Sequence, residues 1–285
     1  MPEQCFLRWR RKYGNIFTIW LGEQPTVCVA EYNKIIETFQ KDGETYSGRF
    51  RFEEFNKLIK GISFGLVMTD GELWRGQRRF ALQIFRDFGL GKNLMQDKIL
   101  SELELLFGRI EEEIKQGNDV DFGENIDISV GSIINNFLFG YRFDNERLGE
   151  FRQLKKLMDS TLDIQFHPII EVQRMSNLLP LNLPHTLTKD VKIDGYYFPK
   201  DTIIIPQISA ILADGEIFEK PEEFSPARFL DENGKLKKVD ELIPFSIGKR
   251  QCLGESLARM ELFLFLGNLL NKYKFMPGND GIPSL

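Results

Sequence analysis

The chain has 285 residues, which is enough for one large domain or two smaller ones with a sizeable core. Hydrophobic residues make up 42% of the chain and charged residues 28%, a composition that is typical of globular proteins and excludes a disordered one. The net charge of −5 argues against a dedicated nucleic-acid-binding protein, and 3 cysteines with 2 histidines exclude a disulfide framework and a His-rich metal centre.

The amino-terminal sequence MPEQCFLRWRRKYG is basic and lacks the apolar stretch of a signal peptide. Phe6, Leu7 and Trp9 beside these basic residues are compatible with contact to a membrane surface, although an ordinary exposed terminus is the simpler interpretation. The longest apolar run, residues 262–266, is far shorter than the ~20 residues that span a bilayer. We therefore expect no transmembrane anchor and a cytoplasmic or peripherally membrane-associated chain.

Short β-rich segments precede a long helical region. Residues 16–21 and 26–30 predict a hairpin, and residues 34–39 predict a short helix. The helices predicted after residue 71 span residues 73–85, 99–114, 126–137, 151–162 and 169–179. In the second of these, apolar residues three or four apart predict one buried face: Ile99, Leu103, Leu106, Ile110 and Ile114.

The C-terminal third changes to strands and turns after Pro180. Residues 191–193, 196–198 and 202–205 predict the strands of a small sheet, and residues 255–271 predict a last helix. Many helices with a few short strands indicate an α+β fold that is mainly α-helical.

The most distinctive motif is PFSIGKRQCLGE, residues 244–255. Gly248 and Gly254 permit backbone conformations that are closed to other residues. Cys252 lies close to the predicted start of a helix, where the helix dipole favours a thiolate, and Arg250 adds positive charge. The motif therefore predicts a held, solvent-shielded thiolate that acts as a metal ligand or a nucleophile. A buried, chemically inert cysteine is the alternative that the residues alone leave open.

The pattern F-x-x-G-x-R-x-C-x-G in this motif resembles the haem-binding loop of the cytochrome P-450 superfamily. The resemblance implies that Cys252 is the axial thiolate ligand of the iron of haem b. It also implies that Phe245 packs under the ring and that Arg250 pairs with a propionate. Gly248 and Gly254 would let the backbone approach the porphyrin closely.

Two further strings resemble the E-x-x-R and P-x-R-F motifs of the superfamily, at residues 171–174 and 226–229. Glu and Arg at i and i+3 share a helix face and can pair. The resemblance implies that Glu171, Arg174 and Arg228 form a buried charged network that holds the haem loop and does no chemistry. Taken alone, E-x-x-R is common on surface helices.

Two more positions resemble propionate contacts of the superfamily. Trp74 and Arg78 match a W-x-x-x-R helix, and His185 in L-P-H-T matches a strand position. The resemblance implies that all three side chains reach haem propionates. Without it, Trp74 would be interpreted as a core residue and His185 as a structural histidine.

The chain departs from the superfamily pattern in its middle. The distal helix with the pattern [AG]-G-x-[DE]-T has no counterpart, and the nearest run, Asp159-Ser160-Thr161, lacks the preceding small residues. The junction near Phe166 and His167 therefore predicts an internal deletion. We expect one incomplete, internally truncated cytochrome P-450-like domain with small β-sheets, in which residues 1–166 form an N-terminal region and residues 167–285 a C-terminal region with the haem loop.

The resemblance implies a monooxygenase of the animal microsomal type, which inserts one oxygen atom of O2 into an apolar organic substrate. Such members lie at the endoplasmic reticulum membrane and receive electrons from NADPH through a flavoprotein reductase, with cytochrome b5 as a further donor. Lys249, Arg86 and Lys92 are candidates for a basic docking face. Because the distal acid and alcohol deliver protons, a catalytically impaired haem-binding relative is the alternative, and we assign no catalytic residue.

Overall fold

A five-stranded sheet joins the beginning of the chain to its C-terminal third. The computed structural model describes residues 2–50, 65–87, 89, 93–117, 119–143, 147–159, 169–233 and 235–276. Its strands are β1 (Ile16–Leu21), β2 (Gln24–Val29), β3 (Gly48–Arg49), β4 (His185–Thr186), β5 (Val191–Ile193), β6 (Tyr196–Phe198) and β7 (Ile203–Pro206). The five-stranded sheet has the order β1-β2-β7-β4-β3, and β5 and β6 form a separate two-stranded sheet.

Helices make up most of the remaining structure, as the sequence predicts for a mainly α-helical α+β fold. They are α1 (Pro2–Tyr13), α2 (Tyr32–Ile35), α3 (Gly71–Asp87), α4 (Asn93–Lys115), α5 (Phe122–Phe139), α6 (Leu148–Asp159), α7 (Ile169–Ser176), α8 (Ile208–Leu212) and α9 (Glu255–Lys272). A π-helical turn, Ile36–Lys41, follows α2 directly, and 3₁₀ turns lie at Pro226–Phe229 and Gly248–Arg250.

The register of the five-stranded sheet brings distant polar residues together. Strand β7 runs parallel to β2 and antiparallel to β4, with His185 opposite Ile204. Strand β3 pairs antiparallel with β4, so that Arg49 lies opposite His185. The sheet therefore places a cationic side chain and an imidazole side by side, although they are far apart in sequence.

The predicted first hairpin is confirmed, whereas the predicted three-stranded small sheet is wrong. Only β5 and β6 pair there, around Asp194 and Gly195, whose φ values of 49° and 84° suit a tight hairpin turn. Residues 203–205 instead join the larger sheet as β7. All three are buried isoleucines, and a continuous β-branched run favours a strand that is covered on both faces.

The chain divides into two compact units. The first comprises Met1–Leu82 and Phe166–Leu253, and the second comprises Gln83–Gln165 and Gly254–Leu285. The first unit has a core around the five-stranded sheet, with Val29, Ile204 and Ile211 fully buried. In the second unit, apolar faces of α4, α5 and α9 form the core. Both units contain residues from either side of residue 166.

Helix α1 packs against the first unit and is not an exposed terminus, so that expectation is wrong. Phe6 is buried beside Phe17 and Cys28, and the Trp9 ring centroid lies 5.6 Å from that of Phe6. These apolar side chains face the core because burying them outweighs solvent exposure, and they are not turned outward toward a membrane. Within the described ranges, none of the helices has the length and apolarity required to cross a bilayer.

Two helix predictions need correction at their C-terminal ends. Ile114 is half exposed although Ile99, Leu103, Leu106 and Ile110 are buried, because the last turn of α4 extends past the apolar core. The helix predicted for residues 169–179 ends at Ser176. Asn177 has a φ of 36° and its side chain donates to Ser209 Oγ at 2.7 Å, which stops the helix three residues before Pro180 would.

Candidate functional site

Cys252 lies in a loop that is closed by backbone hydrogen bonds. Its N–H donates to the carbonyl of Phe245 at 3.0 Å. Gly248 has a φ of +75°, which glycine adopts without strain, as predicted. Gly254 has a φ of −89°, and a Cβ added there would meet no atom within 4 Å, so the expectation of a special conformation is wrong at this position.

The Cys252 side chain is exposed, whereas Cys28 is buried. The expectation of a solvent-shielded sulfur is therefore wrong for the chain alone, because the protein atoms around the loop leave this side chain open. Burial raises the pKa of Cys28 to about 12, which removes it as a thiolate ligand. Cys252 is thus the most exposed of the three cysteines, since Cys5 is half-buried.

Arg250 ties the cysteine loop to the segment around β3. Its guanidinium donates to Ser47 O at 2.8 Å and to Thr69 O at 2.7 Å, and it lies 3.9 Å from the centroid of the buried Trp74 ring. Burial, followed by repulsion from Arg49, lowers the pKa of Arg250 to about 9. The residue predicted to bind a propionate thus also fixes the loop through backbone carbonyls.

Arg78 and Trp74 lie one helical turn apart on α3, as their spacing predicts. Arg78 Nη2 donates to Gln251 O at 2.9 Å, directly before Cys252. Its guanidinium carbon lies 5.9 Å from the Trp74 ring centroid. Burial lowers the pKa of Arg78, and the nearby Cys252 opposes that effect. The guanidinium of Arg78 therefore places a positive charge near Cys252.

Arg49 is a candidate site residue that the sequence reasoning missed. Its Nε donates to Val67 O at 3.0 Å, and its Nη1 donates to the carbonyls of Leu183 and Pro184 at 3.3 Å. Burial lowers its pKa to about 10, while Asp70 opposes that effect. An arginine in a two-residue strand has no distinguishing local pattern, so only the pairing of β3 with β4 could reveal it.

His185 is buried beside this arginine. Its Nδ1 lies 2.6 Å from Tyr46 O, and because a carbonyl only accepts, Nδ1 carries the proton in the neutral ring. Burial and the charge of Arg49 hold its pKa well below the usual value, with a smaller contribution of the same sign from Arg250. The imidazole is therefore neutral in the chain alone.

These residues form a cluster, which we define as Arg49, Arg78, Arg250 and the neutral His185 and call the cationic cluster. Arg49, Arg250 and His185 are buried, and Arg78 is half-buried. Within the described ranges, no carboxylate forms a salt bridge with any of its three guanidinium groups. Asp70 raises the pKa of Arg49 and of Arg250, but one carboxylate does not balance three guanidinium groups, so the cluster fits a ligand that brings negative charge. The two propionates of haem b, beside the flat Trp74 ring and an accessible thiol, match this set of groups.

The structure also brings Glu171, Arg174 and Arg228 together, in a network buried in the first unit. Glu171 pairs with Arg174 Nη2 at 2.8 Å and with Arg228 Nε at 3.0 Å. Arg174 also donates to Leu212 O at 2.8 Å and to Pro221 O at 2.6 Å. The network cross-links α7 to the loops after α8, and it is saturated with internal partners, as a structural role requires.

Several predicted positions lie outside the described residues. They are Ser160, Thr161, Phe166, His167 and Lys92. Of the candidate docking residues, Arg86 and Lys249 are described: Arg86 is exposed near the end of α3, and Lys249 Nζ pairs with Glu44 at 3.1 Å.

The family model for cytochrome P450 matches the chain in two pieces, residues 1–170 and 167–285. Relatives with this description include cytochrome P450 2H2 of Gallus gallus, 29% identical over 416 positions that cover 97% of this chain and 84% of that protein. Cytochrome P450 2C54 of Mus musculus is 26% identical, with 96% and 84% covered, and cytochrome P450 2B4 of Oryctolagus cuniculus is 26% identical, with 95% and 82% covered.

The chain thus belongs to the class of haem-thiolate proteins, whose cofactor is haem b. The two matched pieces span the whole chain, and the chain belongs to the cytochrome P450 family of monooxygenases. The alignment with the Gallus gallus protein runs over 416 positions, more than the 285 residues of the chain, so residues of that relative have no counterpart here. The matched pieces meet at residues 167–170, where the sequence predicts an internal deletion.

We expect Glu171→Gln to lower the free energy of unfolding of the haem-free chain by about 3–5 kcal/mol, because it leaves two buried arginines without their anion. Urea unfolding measures the effect. The matched control is Glu72→Gln, which removes the exposed partner of Arg75 and should cost less than about 1 kcal/mol. Equal losses in the two variants would contradict the structural role of the network.

The haem-free chain should lose stability as the pH falls below the ordinary His pKa of about 6.5. The folded pKa of His185 is lowered, so between that value and 6.5 the unfolded state binds more protons and stability rises with pH. Urea midpoints from pH 5.5 to 7.5 should show this slope, up to about 1.4 kcal/mol per pH unit, and His185→Gln should remove it. A slope that persists in the variant would assign it to other groups.

Proposed function

We propose that this chain is a haem-thiolate protein in which Cys252 ligates the iron of haem b. The observation that carries the proposal is the exposed Cys252 held beside the cationic cluster, whose three guanidinium groups form no salt bridge among the described residues. Trp74 and the cluster would bind the propionates, Phe245 would pack under the ring, and Gly248 and Gly254 would line the loop. Cys252 would be the metal ligand, and Arg78 lies close to it because it donates to the carbonyl of Gln251.

The protein groups have separate tasks in this arrangement. Arg250 fixes the loop to Ser47 and Thr69, while Arg78 fixes the carbonyl of Gln251, directly before Cys252. The Glu171 network cross-links α7 to the loops after α8 within the first unit. Thiolate-ligated haem supplies the chemistry for activating O2. The residues described here bind and orient the cofactor, and none of them is proposed as a catalytic acid.

We further propose that oxygen insertion by this chain is impaired. The two family matches meet at residues 167–170, and no [AG]-G-x-[DE]-T pattern occurs anywhere in the sequence. Without that acid and alcohol, proton delivery loses its general acid. A fully active monooxygenase with an apolar organic substrate, NADPH-dependent reductase and cytochrome b5 is the competing function, and the family assignment favours it.

Exposed apolar side chains in the second unit support a missing covering segment. Phe263 and Leu270 on α9 are 71% and 59% exposed, and Leu138 and Phe139 on α5 are similarly open. Helix α9 is apolar on its buried and its exposed faces, which is typical of a helix that is covered all round. Relatives have additional residues that can supply such a cover, so the deletion removes structure as well as chemistry.

The decisive prediction concerns Cys252. The chain reconstituted with haem, reduced and exposed to CO should show the red-shifted Soret band of a thiolate ligand, and Cys252→Ala should abolish it. Cys5→Ala is the matched control and should retain the band, because Cys5 lies in α1 and is half-buried. Failure to take up haem, or survival of the band in Cys252→Ala, would overturn the proposal.

The haem-loaded chain should turn over an apolar test substrate at least about 100-fold more slowly than cytochrome P450 2H2 when both receive NADPH and reductase, because the distal general acid is lost. Product formation per haem measures this. Peroxide-driven turnover, which bypasses some of the proton delivery, should show a smaller deficit. Equal NADPH-driven rates would contradict impairment and establish the competing function.

A further inference from the structure

The helix that begins at α2 changes to π-helical geometry at Ile36–Lys41. Helix α2 begins normally, since the Glu31 carboxylate accepts hydrogen bonds from the N–H groups of Asn33 and Lys34, both at 2.9 Å. The wider turn that follows holds the buried residues Thr38 and Phe39. Single π-helical turns are rare and occur frequently at functional sites. The contacts of this π-helical turn therefore indicate its role.

The main chain of the π-helical turn lies directly against the cysteine loop. A Cβ added to Gly248 would lie 1.9 Å from the carbonyl oxygen of Phe39 and 3.2 Å from Gln40 Cα. Just after the turn, a Cβ added to Gly43 would lie 2.8 Å from the side-chain atom Lys249 Cγ. At Gly248, backbone packs on backbone with no room for a side chain, so the position of Phe39 limits the position of the loop.

The side chain of Phe39 contacts the other end of the cationic cluster. The ring is 2% exposed, and its centroid lies 5.2 Å from that of His185 at an interplanar angle of 86°. It also lies 5.1 Å from the ring of Tyr46, whose carbonyl accepts the Nδ1 proton of His185. The edge-to-face contact between Phe39 and His185 favours one orientation of these two rings.

We propose that Phe39 is a positioning residue for the cofactor, because it fixes the cysteine loop through its carbonyl and the His185 ring through its side chain. One rigid residue then sets the separation of the thiolate from a propionate-binding group. This inference rests on the proposed function. Residues that support metal ligands in this way typically change metal affinity about 10–100-fold when they are replaced.

The test compares Phe39→Leu with Phe17→Leu, a buried phenylalanine in a different core cluster of the same unit. Haem titration should give a dissociation constant about tenfold higher for Phe39→Leu than for Phe17→Leu. The reduced CO complex of Phe39→Leu should lose some of its red-shifted Soret band, while Phe17→Leu keeps it. A residue that only stabilises the fold would move the urea midpoint without moving this band.

If Phe39→Leu does not fold, a second pair of variants tests the same proposal. Gly248→Ala and Gly195→Ala both place alanine at positive φ, +75° and +84°, but only Gly248 faces the Phe39 carbonyl. The band should be lost in Gly248→Ala and retained in Gly195→Ala. Equal affinity and equal spectra within both pairs would overturn the positioning role. Survival of the band in Cys252→Ala would instead overturn the proposed function, which separates the two failures.

Discussion

The guanidinium of Arg250 connects the cysteine loop to the rest of its unit. It is buried, stacked on Trp74, and bonded to backbone carbonyls that flank β3 and precede α3. A buried arginine that lost these acceptors would carry the full cost of desolvation. The loop conformation, the orientation of Trp74 and the path of the chain before α3 therefore depend on one another.

Burial also disfavours the charged forms of the arginines in the cationic cluster, as their lowered pKa values indicate. The charge of Arg49 lowers the pKa of Arg250, and the charges of both arginines lower the pKa of His185. Burying these guanidinium groups costs folding free energy, and under the proposed function the propionates of the cofactor would offset that cost. The Glu171 network differs, because its carboxylate already compensates Arg174 and its hydrogen bonds are internal. The charges of the Glu171 network are thus balanced within the protein, whereas Asp70 balances only part of the charge of the cationic cluster.

The sequence predicts those features of the fold and site that depend on local spacing. Glu171 and Arg174, or Trp74 and Arg78, share a helix face by periodicity, and Gly248 adopts the conformation that its position in the motif suggests. Arg49 escaped prediction because its placement depends on sheet register between β3 and β4, which no local pattern encodes. The π-helical turn escaped because the segment has too few residues for its apolar spacing to distinguish a π-helical turn from an α-helical one. The exposure of Cys252 depends on which surrounding segments the chain has.

Under the proposed function, the exposure of Cys252 bears on when the cofactor can bind. Because Cys252 is exposed while Arg78 and Arg250 already hold its loop, the folded chain would bind haem without first unfolding. Loading would then be a bimolecular reaction whose rate follows the concentration of free haem. Before that reaction, peroxide would also reach the exposed thiol, and oxidation to a sulfenic or sulfinic acid would remove the proposed iron ligand.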